Sequence, residues 1–156
     1  MSNTQSMCTS FLGELMTATH NFGTAPIRAA TTADTFKAAL YLATATVNAS
    51  TTAYSATNEA SGTNYTAGGV AVTNATTPSS TNASATAGVA FWTPSASLTY
   101  TNVTLATAFD TVLIYNNTQG NRAVSVHTFG SQTVTAGTFT LTMPTNDASN
   151  ALIRIA

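Results

Sequence analysis

The side chains able to do acid–base, nucleophilic or metal chemistry are few: Glu14, Asp34, Glu59, Asp110 and Asp147, His20 and His127, Lys37, Arg28, Arg122 and Arg154, and a single cysteine, Cys8. A catalytic centre needs a nucleophile or acid held against a base and a group that orients it, and no spacing here supplies one. Glu14 and Asp34 are twenty residues apart, so no carboxylate pair for glycosidic cleavage is indicated. Cys8, His20 and His127 lack the paired spacing of a zinc site, and a lone cysteine reads as a small buried side chain. His127, between Val126 and Thr128, reads as a strand-face side chain. His20 follows a helical stripe, where an imidazole meets the carbonyl end of the helix dipole. Gly68-Gly69 precedes a strand pattern rather than a helix, so it reads as a turn and not a phosphate cradle. The expectation is a non-enzyme with no cofactor and no metal.

Three aromatics could do recognition chemistry instead. Tyr54, Tyr65 and Trp92 are spaced as a possible sugar-binding platform, although Trp92 between Phe91 and Pro94 is more simply an apolar anchor at a core or an interface. Together with Phe11 they are the candidate contacts to another subunit.

Thr, Ala, Ser and Asn make up 89 of the 156 residues, while Lys and Arg number 4 and Asp and Glu 5. Soluble domains usually carry about 25% charge, so a chain at 6% has little electrostatic means of holding identical neighbours apart. Four dispersed bases cannot form a phosphate-neutralising patch, which argues against nucleic acid. Apolar runs such as Thr111 to Tyr115 fall far short of the roughly 20 residues of a membrane span. Met1 to Ser10 lacks the cationic and apolar regions of a secretory signal, giving the expectation of synthesis in a cytoplasm.

The elements that must position these side chains read as follows. Met7, Phe11, Leu12, Leu15 and Met16 form a helical stripe, predicting a short helix within Ser6 to Thr19. After Gly23 the pattern turns to Thr, Val, Tyr and Phe punctuated by Asn, Gly, Pro and Ser, predicting strands. They are placed at Thr35 to Ala43, Val70 to Thr76, Gly88 to Pro94, Ser97 to Thr104, Thr111 to Asn116, Ala123 to Phe129, Gln132 to Met143 and Leu152 to Ala156. Gly137 to Met143 alternates strictly, with Phe139, Leu141 and Met143 on one face and threonines on the other. Val112 to Tyr115 is a continuous apolar run, predicting a central strand covered on both faces, and 116–121 is a hairpin turn. The chain therefore reads as a single domain over 1–156: an N-terminal helical segment (1–23) and an all-β domain (24–156), a β-sandwich or jelly-roll-like barrel of seven to nine strands. Two long polar loops, 48–69 and 76–88, read as functional contact arms.

A series of landmarks runs through the chain: Phe11-Leu12-x-Glu14-Leu15-Met16-x-x-x-His20-x-Phe22, then Asp34-Thr35-Phe36-Lys37-Ala38-Ala39-Leu40-Tyr41 and Tyr65-Thr66-Ala67-Gly68-Gly69-Val70. Ile114-Tyr115-Asn116-Asn117, Gly137-x-Phe139-x-Leu141 and Leu152-Ile153-Arg154-Ile155-Ala156 complete it. From about Phe11 to Ala156 this order resembles a family of small late-gene structural proteins of tailed bacteriophages. None of the motifs is catalytic, and the Thr/Ser/Ala loops depart from the family pattern. The resemblance implies a virion component, with a capsid decoration or cement protein on the head as the leading expectation. A tail-associated or fibre-like subunit and a carbohydrate- or receptor-binding module are the alternatives. Its partners would be other virion proteins, the major capsid protein or tail proteins. The chain itself is expected to form a homo-oligomer, a trimer by analogy with capsid local three-folds. The loop 48–69, anchored by Tyr54 and Tyr65, and the residues before Phe11 are expected to carry the contacts between subunits.

Overall fold

A computed structural model describes residues 3–8, 11, 15, 19–20, 22, 33–74, 76, 78–80 and 89–155. Alternating Thr and apolar side chains make strands because a pleated surface accepts branched residues on both faces and sends alternate ones inward. Among the described residues eight strands result: β1 (Ser6–Met7), β2 (Phe36–Leu42), β3 (Val70–Val72), β4 (Ser79–Ser80), β5 (Ala90–Trp92), β6 (Leu98–Asn116), β7 (Arg122–Leu141) and β8 (Ile153–Ile155). They form a five-stranded sheet in the order β1-β7-β6-β2-β3 and a three-stranded sheet in the order β4-β5-β8, antiparallel throughout. The chain is all-β.

Both sheets have open ends, so the expected barrel does not close. The expected N-terminal helix is described only in part. Its first residues, Ser6 and Met7, are instead a strand opposite Val126 and Ser125, while Phe11 and Leu15, one turn apart, are helical. The unpaired backbone at that edge of β7 takes up the extended chain, an option that a local stripe of apolar residues does not reveal. Residues 9–10, 12–14 and 16–18 of the expected helix lie outside the described residues, as do 77 and 81–88 of the second polar loop.

The frame of the molecule is the hairpin β6–β7, turned by 117–121, with the left-handed residues Gly120 (φ 66°) and Asn121 (φ 59°) at its tip. Its register runs from Asn116 opposite Arg122 to Leu98 opposite Leu141, broken by irregularities between Tyr100 and Thr111 and once more between Ile114 and Tyr115. Those bulges bend it sharply. Phe109 lies nine residues along β6 from Tyr100, the partner of Phe139, and a straight strand would separate the two by about 30 Å. Instead the rings of Phe109 and Phe139 meet edge-on at 5.0 Å, with Phe129 5.3 Å from Phe139. The ribbon folds back on itself into two layers, and bulges, which insert a residue and increase twist, are the means of doing so. Asn102 (φ 51°) and Ala136 (φ 45°) are the left-handed residues within it.

Both limbs contribute to the core, on the inner face and under the loop that covers the other face. Leu98, Tyr100, Val103 and Leu105 from one limb and Val112, Leu113, Ile114 and Tyr115 from the other are each at most 2% exposed. The second limb is central in the sheet, flanked by β7 and β2, as its continuous apolar run predicts. The small sheet joins this core through Trp92, whose ring is 4.7 Å from Phe22 and 6.1 Å from Phe36 of β2.

Candidate functional site

Loop 48–69 contains no strand of its own, yet it is tied at three places to the hairpin and its neighbour. Tyr54 N donates to Asn121 O (2.9 Å) and Ala123 N to Thr52 O (3.0 Å) at the hairpin tip. Ala60 N donates to Leu40 O (2.8 Å) and Leu42 N to Asn58 O (3.0 Å) on β2. Thr104 N donates to Thr63 O (3.0 Å), and Asn64 Nδ2 to Asn102 O (2.8 Å), on the outer limb of β6. Asn58 and Asn64, both at φ 60°, supply the left-handed corners that let the chain make these approaches, a conformation asparagine tolerates better than other side-chain-bearing residues.

Glu59 organises the loop. Its Oε2 accepts from Tyr54 Oη (2.6 Å), and its Oε1 from Tyr65 Oη (2.8 Å) and Gly68 N (2.7 Å). Tyr65 Oη accepts in turn from Leu40 N (3.0 Å), Tyr115 donates to Gly68 O (2.8 Å), and Tyr100 donates to Ala38 O (2.8 Å). Tyr54 stacks on Tyr115 at 4.8 Å and Tyr65 on Tyr100 at 6.0 Å. Tyr41 closes the set, donating to Ser55 O. All five tyrosines of the chain are therefore gathered around one carboxylate. Their hydroxyls ionise with difficulty: burial comes first, and the Glu59 charge adds to it. Tyr41 and Tyr115 are pushed up to about 12, and Tyr54, Tyr65 and Tyr100 are raised further. At neutral pH these are uncharged donors in structural bonds, without the lowered pKa of an activated nucleophile. Gly69 (φ 73°) makes the close approach possible, since a Cβ there would fall 1.7 Å from Ala38 O.

A second polar group is buried under the hairpin tip. Asn116 Nδ2 donates to Asp34 Oδ2 (2.8 Å) and to His20 Nδ1 (3.0 Å), Gln119 Nε2 donates to Asp34 Oδ1 (3.0 Å), and Asn116 Oδ1 accepts from Thr118 N and Gln119 N (both 3.1 Å). His20 is thus a core residue, 4.8 Å from the ring of Phe11. Asp110 accepts from Asn3 Nδ2 (2.8 Å) and Thr111 Oγ1 (2.7 Å). Asp147 folds its own turn by accepting from Thr145, Ser149 and Asn150, bonds that hold its carboxyl well below the usual carboxylate range. His127, half-buried on β7, sits with Nε2 2.9 Å from Ser125 Oγ beside a cavity of about 340 Å³ that Ser6, Met7, Ile153 and Arg154 also line. Burial lowers its pKa to about 4, making the imidazole a weak base, and no carboxylate bonds its other nitrogen among the described residues. A serine–histidine contact of this kind lacks the orienting group and tuned base of a hydrolytic centre.

Of the expected contact residues, the structure brings Tyr54 and Tyr65 together on Glu59. Phe11 (0% exposed) and Trp92 (2%) lie in the other aromatic cluster, with Trp92 Nε1 donating to Thr76 O at 2.9 Å. Trp92 is therefore not part of an exposed platform with the two tyrosines. Glu59 itself was missed as an organiser, and the signal for it is weak: a lone acid in a polar loop between two tyrosines, bracketed by turn-forming asparagines. Among the described residues no group of three or more His, Cys, Asp or Glu could hold a metal, and no helix is long and apolar enough to cross a membrane.

The fold and its sites define an all-β chain whose carboxylates Asp34, Glu59, Asp110 and Asp147 accept internal hydrogen bonds. Comparison with protein-family models, with curated proteins and with solved structures found no match.

Proposed function

We propose that the chain is a non-enzymatic structural subunit of a tailed-bacteriophage particle, a sandwich-like all-β protein that decorates and cements the outside of the head. The resemblance of its ordered landmarks to small late-gene virion proteins motivates the reading. The observation that carries it is how the few charges are used. Asp34, Glu59, Asp110 and Asp147 each accept hydrogen bonds that close a turn, a loop or a strand end of their own chain, which leaves threonine on the outer faces of the long hairpin. A neutral hydroxyl surface packs against identical or unlike neighbours with little charge to desolvate, and many weak contacts in a symmetric shell then act together. Counting the chain in purified particles of the phage that encodes it tests this. Hundreds of copies per particle support the head, six to a few dozen would move the subunit to the tail, and absence from the particle would refute the virion reading.

A further inference from the structure

Sheet edges carry unpaired N–H and C=O groups, and proteins commonly blunt them with lysine, proline, bulges or short length. Three edges here are short: β3 and β8 have three residues each, and β4 has two. The outer edge of β7 is different. β1 covers it at Ser125 and Val126, and beyond that point no strand pairs with it among the described residues. From Ala123 to Met143 the sequence contains no Lys, Arg, Asp, Glu or Pro. Within the limb Gly137–Leu141 the pairing is regular over Phe139–Leu141, bonded on the inner side to Leu98, Thr99 and Tyr100 of β6, and shifts register before Gly137 opposite Val103; Thr138 and Thr140 are exposed and Phe139 and Leu141 half-buried.

We propose that this limb is an assembly surface on which a second copy of the chain adds the same limb, antiparallel, to make a sheet continuous across two subunits. Two properties select an identical strand as the occupant. The edge is neutral, so it neither repels its copy nor attracts a charged segment of some other protein. The alternation also matches itself: in an antiparallel pair opposed residues share a face, and a two-fold axis through the sheet keeps each face on its own side. Threonine then meets threonine on the wet face, while Phe139 and Leu141 of each copy cover those of the other. The contact is isologous and makes pairs. The expected three-fold ring would need this edge to meet a different one. The inference is independent of whether the particle site is head or tail.

Sedimentation of the purified full-length chain over a wide concentration range tests it. The wild type should show a monomer–dimer equilibrium. The double variant Thr138→Lys, Thr140→Lys, which opposes like charges across the seam, should weaken that equilibrium about tenfold or more with an unchanged far-UV circular dichroism spectrum. A wild type that stays monomeric, an association indifferent to the lysines, or a three-fold assembly would overturn the proposal. Should the variant fail to fold, a nitroxide on Thr140→Cys gives a second reading. Dipolar broadening between copies at that position, absent for a label on Thr57→Cys, supports the shared edge, and broadening at neither position refutes it.

Discussion

The two long edges of the bent hairpin are treated in opposite ways. Along the outer limb of β6, loop 48–69 lays Thr63 against Thr104 and Asn64 against Asn102, and Glu59 with its tyrosines holds that loop in place. Along the outer limb of β7 no strand gives such cover beyond Val126 among the described residues. The covered edge is held by a carboxylate that accepts three hydrogen bonds, whereas the open one, from Ala123 to Met143, carries no Lys, Arg, Asp or Glu. The difference shows that a nearly uncharged chain still uses charge where a polar loop must be fixed to a sheet; on the proposed assembly edge it omits it. The loop expected to be a contact arm is also held by its own chain, through Glu59 and the backbone bonds to Asn121, Leu40 and Thr104.

The largest effect is expected from breaking the covered side. Glu59→Ala leaves Tyr54, Tyr65 and Gly68 N–H without their acceptor and should cost about 3–4 kcal/mol, read from the urea midpoint. Glu59→Gln keeps the shape and one acceptor oxygen and should cost about 1 kcal/mol. With the charge gone, spectrophotometric titration should show the tyrosines ionising at lower pH than in the wild type.

A middle-sized effect concerns His127, which lies on the hairpin just before the open edge begins. Its folded pKa of about 4 lies below its ordinary value because burial disfavours the imidazolium. The unfolded chain then binds more protons than the folded one between about pH 6.5 and 4. This contribution is fully present above pH 6.5 and lost as pH falls through that window, by about 2 kcal/mol after allowing for the residue's partial exposure. His127→Gln should flatten that part of the stability–pH curve, and a curve of the same shape in the variant would contradict the assignment. Smallest of all, Ala136→Gly relieves a left-handed backbone (φ 45°) where β7 bulges and should raise stability by less than about 1 kcal/mol, unless glycine's added freedom in the unfolded chain cancels it to a null shift in thermal midpoint.

Much of the fold was legible locally. The alternation of Gly137 to Met143, the central run Val112 to Tyr115 and the turn after Asn116 are short-range patterns that the structure shows as read. The bend was not. Between Leu105 and Asp110 the bulges shift the pleat's phase, so period-two reading failed there and four strands were assigned where two bent ones run. The tyrosine cage was less legible still. Tyr41, Tyr100 and Tyr115 come to Glu59 from distant strands, and even Tyr54 and Tyr65 reach it through loop turns with no periodicity to announce them.

The claim that one edge is sealed from within and the other left open is tested most directly by residue-resolved hydrogen exchange on the purified chain at several concentrations. The amides of Tyr54, Ala60 and Gly68, bonded to Asn121 O, Leu40 O and Glu59 Oε1, should be protected at every concentration. Those on the outer side of Gly137 to Leu141 should exchange freely in dilute solution and become protected as concentration rises. Fast exchange at Ala60 and Gly68, or protection of the β7 edge that does not change with concentration, would contradict the account.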